Sequence, residues 1–246
     1  MTKITQAFIF AAGRGERMRP LTDKVCKPLI KIKNKAIIDY AIEKLDAISS
    51  IKKIIINGFY LSEQIENHIK SLGNPKIIFS REFEKLETAG GLVFASNLID
   101  FEQPLLAING DVLWQENSAI SDIKILSNAW NSQDCDVLLG LKKTADYLGY
   151  DKNLDGGDFD FNGKNLFRFD EKKMSHVFVG LQIINPKILK NAPKKCFSML
   201  HFYFRKNEFG KNELLKRVGG VELAGKYFHI GTVEAMKNTE IALKNC

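Results

Sequence analysis

Cationic side chains and glycines cluster directly after the first apolar segment of the chain. The stretch FIFAAGRGERMRPLTDKVCKPLI contains two glycines, three arginines and a lysine that precedes a proline: Gly13, Gly15, Arg14, Arg17, Arg19 and Lys27. Glycines after a strand let backbone N–H groups approach an anion, and arginines make forked contacts with phosphate oxygens. Pro28 restricts the backbone beside Lys27, so the ammonium is held in place. The pattern predicts a site for a polyphosphate, and a basic surface loop is the alternative.

The spacing of the two glycines is not specific by itself. It lacks the G-x-x-x-x-G-K-[ST] pattern of a Walker A loop, and G-x-G is only a fragment of the dinucleotide-binding fingerprint. The elements around the loop therefore have to support the prediction.

Apolar segments of strand length alternate with amphipathic helical segments in the first part of the chain. The predicted strands are AFIFAA, KKIIIN, KIIFS, PLLAIN and CDVLLGL, and the predicted helices are AIIDYAIEKLDAI, LSEQIENHIKSL, AGGLVFASNLI and AISDIKILSNAW. Repeated β-α units imply an α/β fold, a Rossmann-like three-layer sandwich around a mainly parallel mixed sheet. Such sheets bind ligands where their strands end, and the two most polar loops follow the first and fourth strands.

The pattern changes after about Leu141. The segment GGDFDFNGKNLFRFDE predicts a hairpin that turns at Asn162-Gly163, and HVFVGLQIIN predicts a strand broken at Gly180. Then KNELLKR predicts a helix, the segment around Gly225 a short hairpin, and VEAMKNTEIALKN a final helix capped by Thr232. No linker or repeat interrupts residues 1–246, so a single domain is expected.

The composition excludes several classes of protein. The chain has 36 Lys and Arg against 29 Asp and Glu, a net charge of +7, which favours anionic ligands in general. Its cysteines are widely spaced, which argues against a disulfide framework or a structural zinc site: Cys26, Cys135, Cys196 and Cys246. No apolar run is long enough to span a bilayer, and the N-terminus does not match a signal peptide. A cytoplasmic protein with no membrane or nucleic-acid partner is expected.

Four segments resemble a known family in their order along the chain. The segment FIFAAGRGERMRPLTDKVCKPLIKI resembles the signature L-A-A-G-x-G-x-R-[ML]-x-P-L-T…K-P-[ML] of the sugar-1-phosphate nucleotidyltransferases, the NDP-sugar pyrophosphorylases. Three later segments resemble the family's base-reading turn, metal-binding strand end and sugar-side strand: LETAGGL, INGDV and FVGLQIIN. The resemblance spans essentially the whole chain.

Further segments resemble one branch of this family. GYDKNLDGGDFDF, NAPKKCFSM and KYFHIGTVEAM are similar to the short N-acetylmuramate-1-phosphate uridylyltransferases, often labelled mannose-1-phosphate guanylyltransferase-like. The resemblance implies the nucleotide-diphospho-sugar transferase fold as one domain. Residues 1–112 would form mainly the nucleotide-binding half and residues 113–246 mainly the sugar-binding half, with no C-terminal β-helix domain.

The resemblance implies a reaction between a nucleoside triphosphate and a sugar 1-phosphate. The backbone of the glycine loop would hold the nucleotide through Ala11, Ala12, Gly13, Arg14 and Gly15. Arg17 would draw charge from the β- and γ-phosphates, and Lys27 would bridge the α-phosphate and the sugar phosphate. Thr88 and Gly90 would pass close to the base.

The resemblance also implies a sugar side and a metal. Asn109, Asp158 and Gly180 are the implied sugar-binding residues, and Asp111 would bind Mg²⁺. Local alternatives stay open for several residues. Arg14 and Arg19 could be solvated neighbours, Thr88 a helix N-cap, Asp111 a turn residue, Gly180 a bulge and Asp158 a hairpin cap.

One position departs from the family pattern. Many relatives carry a second metal carboxylate in a segment resembling W-x-D-x-G-T, and here His229 stands at that position in YFHIGT. Imidazole is a poor ligand for Mg²⁺ and a better one for softer metals. Three interpretations stay open: His229 binds a metal such as Mn²⁺, it contacts phosphate, or it packs in an enzyme of weakened activity.

The substrates and the assembly are less determined than the reaction. UTP with N-acetylmuramate 1-phosphate, in cell-wall recycling, is the leading expectation. GTP with mannose 1-phosphate and a cytidylyl transfer to phosphocholine are alternatives. A catalytically weak, nucleotide-binding regulatory subunit is an alternative of another class, and an RNA-binding module lacks the aromatic-interleaved basic motif it would need. A monomer or a homodimer is expected.

Overall fold

The computed structural model describes residues 3–117, 119–148, 156–168, 174–206 and 212–244. In chain order its strands are β1 Gln6–Phe10, β2 Lys31–Ile32, β3 Lys35–Ala36, β4 Lys53–Gly58, β5 Ile77–Arg81, β6 Leu105–Asn109, β7 Val112–Gln115, β8 Val137–Lys143, β9 Asp160–Phe161, β10 Leu166–Phe167, β11 His176–Ile184, β12 Phe204–Lys206, β13 Asn212–Leu214, β14 Val218–Glu222 and β15 Lys226–His229. Its α-helices are α1 Ile37–Asp46, α2 Ser62–Leu72, α3 Glu87–Phe94, α4 Asp122–Ala129, α5 Leu200–Tyr203 and α6 Val233–Lys244. Short 3₁₀ helices span Glu16–Met18, Leu21–Asp23, Lys27–Leu29, Ser96–Leu98, Thr144–Asp146 and Pro186–Asn191.

Seven strands form the central sheet, in the order β14-β8-β11-β6-β1-β4-β5. Neighbouring strands run parallel except at β11, which is antiparallel to both β6 and β8. The predicted mainly parallel mixed sheet is therefore confirmed. Strands from both halves of the chain join in it, while the expected single-domain organisation stays a prediction.

Apolar residues on both faces of the sheet explain the three layers. In β1, Ala7 and Ile9 point to one face and Phe8 to the other, and all three are fully buried. Apolar residues of α1, α2 and α4 pack on the first face, and those of α3 and α5 pack on the second. The chain thus buries both faces, as a parallel sheet requires.

Two predicted end signals are present in the structure. Gly73 ends α2 in the left-handed conformation, with φ 60°, which a glycine adopts without a steric penalty. Thr232 caps α6, because its Oγ1 accepts a hydrogen bond from the N–H of Ala235 at 3.1 Å. The turn at Asn162-Gly163 joins β9 and β10, with φ 87° at Gly163, which confirms that hairpin.

Three local predictions were wrong because long-range pairing overrides the local pattern. Within KNELLKR, residues Asn212–Leu214 form β13, which pairs with β12, and no helix forms in residues 212–217. No hairpin forms around Gly225, since β14 pairs with β8 and β15 pairs with β7. The strand at Gly180 is not broken: β11 is continuous, and Gly180 forms a bulge with φ 84°.

The Gly225 turn has a clear physical cause. The carboxylate of Asp122 accepts hydrogen bonds from the N–H groups of Ala224 and Gly225, and it also accepts one from the hydroxyl of Tyr227. This buried carboxylate fixes the chain between the two sheets.

Residues 149–155 of the GYDKNLDGG segment and 169–171 of the predicted hairpin lie outside the described residues. Among the helices that the structure describes, none combines the length and the apolar character that a bilayer crossing needs.

Candidate active site

A cleft of about 230 Å³ opens at the edge of the sheet where β1, β4, β5 and β6 end. It is lined by Phe10, Ala11, Ala12, Gly13, Arg14, Lys27, Pro28, Asn57, Phe59, Glu82, Lys85, Leu86, Glu87, Thr88, Asn109, Gly110 and Asp111. This is the edge at which open α/β sheets hold their ligands.

The cleft brings together most of the residues that the sequence singled out. The predicted site residues in its wall are Ala11, Ala12, Gly13, Arg14, Lys27, Thr88, Asn109 and Asp111. The others lie outside the wall: Gly15, Arg17, Gly90, Asp158, Gly180 and His229. The roles assigned to both groups stay predictions.

Lys27 and Asp111 form an ion pair inside the cleft, with Nζ 2.6 Å from Oδ2. Lys27 begins a 3₁₀ turn with Pro28 as its second residue, and its side chain is only 11% exposed. Burial alone would raise the pKa of Asp111. The charge and hydrogen bond of Lys27, helped by His229, outweigh that effect and lower the pKa. The carboxylate is therefore ionised at neutral pH.

The glycine loop packs directly on Lys27. Gly15 adopts the left-handed conformation, φ 64°, and a Cβ there would lie 2.8 Å from Thr22 and 2.9 Å from Lys27. Thr22 donates its hydroxyl hydrogen to the Gly15 carbonyl at 2.9 Å, which closes the loop. Only glycine satisfies both the backbone angle and the close contact at this position.

The three arginines differ in their environment. Arg14 lines the cleft, with its guanidinium 5.8 Å from the ring centroid of Phe59. Arg17 is exposed on the 3₁₀ turn that follows Gly15. Arg19 pairs with Asp23 at 3.2 Å on the exposed surface, as expected for a solvated neighbour.

A buried hydrogen-bond chain lies beneath the loop, and the sequence did not indicate it. The N–H of Ala11 donates to Asn57 Oδ1 at 2.7 Å, and Asn57 Nδ2 donates to Glu82 Oε1 at 2.6 Å. Glu82 is 3% exposed, and burial raises its pKa to about 7 against the opposing hydrogen bond from Asn57. Gly91 of α3 packs against this pair, since a Cβ there would meet Glu82 Oε1 at 2.5 Å.

The position of Asn57 at a strand end was a visible signal, but nothing in the sequence marked Glu82 among its acidic neighbours. In this hydrogen-bond chain, the backbone N–H of Ala11 donates to the side chain of Asn57. That N–H supports the loop from below, and the nucleotide contacts of the loop stay predictions.

The turn before α3 differs from the expectation. The helix begins at Glu87, so the alternative of Thr88 as its N-cap is wrong. Instead, Thr88 Oγ1 accepts a hydrogen bond from the distant N–H of Met199 at 2.8 Å. Gly90 packs against the carbonyl of Lys195, which a Cβ would approach to 2.6 Å.

Two of the predicted sugar-binding residues, Asn109 and Gly180, meet at the end of β6. A Cβ on Gly180 would come within 3.1 Å of the Asn109 side chain, so the bulge brings β11 close to the cleft wall. Asp158 Oδ2 accepts the N–H of Phe178 at 2.9 Å, which fixes the strand just before the bulge. The bulge at Gly180 is observed, and the sugar contacts of these residues stay predictions.

The metal expectation can be tested against the donor set. His229 of β15 pairs with Val112, the neighbour of Asp111, and it lies near enough to help lower the pKa of that carboxylate. Among the described residues, no group of three or more His, Cys, Asp or Glu side chains could hold a metal ion. Mg²⁺ suits such a sparse set, because it is commonly bound by one or two carboxylates plus substrate phosphates. Asp111 fits this role, and the imidazole of His229 fits Mn²⁺ better than Mg²⁺.

The sequence of this chain is similar to those of known nucleotidyltransferases. A family model described as nucleotidyl transferase matches residues 6–172. The N-acetylmuramate alpha-1-phosphate uridylyltransferase of Caulobacter vibrioides is 32% identical over 96% of this chain and 96% of its own. The mannose-1-phosphate guanylyltransferase catalytic subunit beta of Drosophila melanogaster is 28% identical over 92% of this chain and 59% of its own.

Solved structures agree on the fold. HddC from Yersinia pseudotuberculosis, complexed with GMP-PN, superposes with a TM-score of 0.73 at 20% identity, over 98% of this chain and all of its own. A putative glucose-1-phosphate thymidylyltransferase from Bacillus anthracis gives a TM-score of 0.75 at 16% identity, over 98% of this chain and 96% of its own. The expected nucleotide-diphospho-sugar transferase type of fold is confirmed. The chain belongs to the nucleotidyl transferase family and is a nucleotidyltransferase.

Proposed function

We propose that the protein joins a sugar 1-phosphate to a nucleoside triphosphate, giving an NDP-sugar and pyrophosphate. The observation that carries this proposal is the Lys27–Asp111 ion pair, placed in one cleft with the glycine loop. A cation and a carboxylate in contact supply one partner for phosphate and one for a metal. Such a pair suits a reaction that brings two anions together.

The chemistry requires no nucleophile from the protein. An oxygen of the sugar phosphate attacks the α-phosphorus and forms a new P–O bond. The bond between the α-phosphorus and the oxygen that bridges it to the β-phosphorus breaks, and pyrophosphate leaves. Positioning and electrostatic stabilisation provide most of the rate enhancement in phosphoryl transfer. Lys27 would hold the sugar phosphate against the α-phosphate, and Arg14 and Arg17 would neutralise the remaining phosphates. Thr88 and Gly90 would shape the base side, and Asn109, Asp158 and Gly180 the sugar side.

A divalent cation would be held by Asp111, with His229 as a second candidate. When bound, Mg²⁺ or Mn²⁺ neutralises phosphate charge and orients the triphosphate. The ion pair occupies Oδ2 of Asp111, so Oδ1 would be available to the cation, and the other hydrogens of the Lys27 ammonium would be available to the sugar phosphate. The ion pair thus orders both side chains and favours the ionised form of Asp111 before the substrates arrive.

UTP and N-acetylmuramate 1-phosphate are the substrates that the sequence relationship favours. The Caulobacter vibrioides uridylyltransferase matches over nearly the full length of both chains. GTP with mannose 1-phosphate is the second candidate, because the Drosophila melanogaster guanylyltransferase subunit also matches over most of this chain. A role in cell-wall recycling follows from the first candidate as a prediction. The cytoplasmic location and the monomeric or homodimeric state are separate predictions.

The deciding experiment is pyrophosphate release from a matrix of nucleoside triphosphates and sugar 1-phosphates, with Mg²⁺ and then with Mn²⁺. Release restricted to UTP and N-acetylmuramate 1-phosphate would support the first candidate, and release with GTP and mannose 1-phosphate the second. No release from any pair, by protein that binds a nucleotide, would instead support a regulatory subunit.

A further inference from the structure

Residues 195–199, the end of the NAPKKCFSM segment, lie against the turn that opens α3. Phe197 makes three backbone hydrogen bonds to this turn. Its N–H donates to the carbonyl of Leu86 at 3.0 Å, and its carbonyl accepts the N–H groups of Ala89 at 3.1 Å and Gly90 at 3.0 Å. We call residues 195–199 the clasp and residues 86–90 the base-side turn.

A side chain and a close packing contact add to this pairing. The N–H of Met199 donates to Thr88 Oγ1 at 2.8 Å, across 111 residues of sequence. Gly90 has no side chain, and a Cβ there would meet the carbonyl of Lys195 at 2.6 Å. Met199 is 4% exposed and packs in the core cluster beneath α3, so the clasp is anchored at its far end.

The clasp also provides a hydrogen-bond acceptor for N–H groups at the N-terminus of α3. The first four N–H groups of an α-helix have no acceptor within the helix, and in α3 they belong to residues 87–90. The Phe197 carbonyl takes the last two of them. The first two belong to Glu87 and Thr88, which line the cleft.

The base-side turn has a conformation that needs outside support. Glu87 has φ 59°, a left-handed value that is unfavourable for a residue with a Cβ. Such a conformation persists only where the surroundings fix it, and it is often found at functional sites. The clasp supplies four hydrogen bonds to the residues on either side of Glu87.

We propose that the clasp is a positioning element, which holds the base-side turn in the conformation that receives the nucleobase. Thr88 is then a positioning residue that acts through the N–H of Met199, instead of a residue that touches the nucleotide. This proposal rests on the proposed function, because it takes the cleft to be the nucleotide site. The clasp belongs to the predicted sugar-binding half of the chain and the base-side turn to the predicted nucleotide-binding half. On this proposal, one half fixes the conformation of a turn in the other.

The test compares Thr88→Val, which removes the accepting hydroxyl, with Thr88→Ser, which keeps it. Thr232→Val is the matched control, because that hydroxyl also accepts a backbone N–H but at the start of α6. Three quantities are measured: the affinity for UTP and for GTP with Mg²⁺, the KM values in pyrophosphate release, and amide hydrogen exchange over residues 195–199.

We expect Thr88→Val to weaken nucleotide affinity by roughly fivefold, as one lost hydrogen bond would. The KM for the nucleotide should rise with little change in the KM for the sugar phosphate, and exchange in the clasp should become faster. Thr88→Ser should restore all of these values, and Thr232→Val should leave nucleotide affinity and clasp exchange unchanged. Gly90→Ala places a Cβ against the carbonyl of Lys195 in the clasp, and it should reproduce the effect of Thr88→Val.

Three results would overturn the proposal. Thr88→Val could behave like the unmodified protein, or Thr88→Ser could be as impaired as Thr88→Val. Weaker nucleotide affinity with unchanged clasp exchange would show that Thr88 touches the nucleotide directly. If no substrate pair released pyrophosphate, the proposed function would be wrong. Amide hydrogen exchange does not require turnover, so the exchange data would still decide whether Thr88 holds the clasp.

Discussion

Lys27 Nζ lies 2.6 Å from Asp111 Oδ2, although the two residues are 84 positions apart in the sequence. One follows the glycine loop and the other follows β6, and the parallel order of β1 and β6 brings the two loops to the same edge. The pair is partly buried, so its electrostatic attraction is stronger than that of a surface pair.

Replacement of Lys27 by methionine should abolish most of the activity. The change removes the cation that would bridge two phosphates and leaves Asp111 without its partner. Loss of one such group typically costs about 10²–10³-fold in kcat. Pyrophosphate release measures the effect, and Lys24→Met, at an exposed lysine of the same loop, is the control. Retention of more than about a tenth of the activity would remove Lys27 from the mechanism.

Asp111→Asn should change the dependence on metal. The amide keeps the shape of the side chain but loses the charge that a hard cation requires. We expect a kcat lower by about 10²-fold or more and a higher Mg²⁺ concentration for half-maximal rate. A Mg²⁺ titration of pyrophosphate release measures both, and an unchanged titration curve would show that the metal is held elsewhere.

His229→Asp should shift the metal preference from Mn²⁺ towards Mg²⁺, because a carboxylate is the harder ligand. The ratio of the rates with the two metals gives the result. His229→Asn, which offers a neutral oxygen, is the matched control. If His229→Asp left the ratio unchanged, His229 would not be a metal ligand, and the phosphate-contact and packing interpretations would remain.

Glu82 should make stability depend on pH. Burial raises its pKa from 4.5 to about 7, so the folded state binds a proton more tightly than the unfolded state. The free energy of unfolding should therefore fall as pH rises from about 4.5 to about 7, by at most about 3 kcal/mol. Glu82→Gln should remove this slope, and the exposed neighbour Glu84 provides the control Glu84→Gln. Urea unfolding across this pH range measures the slopes, and identical slopes in Glu82→Gln and the unmodified protein would contradict the assignment.

Gly180→Ala should be more harmful than Gly163→Ala. Both glycines have a left-handed φ, 84° and 87°, so both substitutions place a Cβ on an unfavourable backbone conformation. A Cβ at Gly180 would lie 2.5 Å from Val112, whereas the space at Gly163 is open. We expect Gly180→Ala to cost about 1–3 kcal/mol more in the free energy of unfolding. It should also raise the KM for the sugar phosphate, because the bulge abuts Asn109. Equal unfolding energies would show that the neighbours move aside.

The sequence by itself determined the elements whose signal is local. Apolar residues of β1 and β4 alternate between two buried faces, and this pattern needs no partner strand to be recognised. The glycine loop and Asp111 were likewise visible, because each comes just after an apolar strand, and Lys27 was visible because it precedes Pro28 in the same basic segment. Their meeting in one cleft then follows from the parallel order of the strands that precede them.

Only the tertiary structure decided the rest. Glu82 is one acidic residue among several until Asn57 and Gly91 enclose it, and Thr88 finds its partner, Met199, 111 residues away. The segment at β13 has a helical pattern, yet pairing with β12 makes it a strand. Local periodicity reflects which face of a segment is apolar. Burial, pKa and hydrogen-bond partners instead depend on which distant segments pack against it, and that information appears only when the chain is folded.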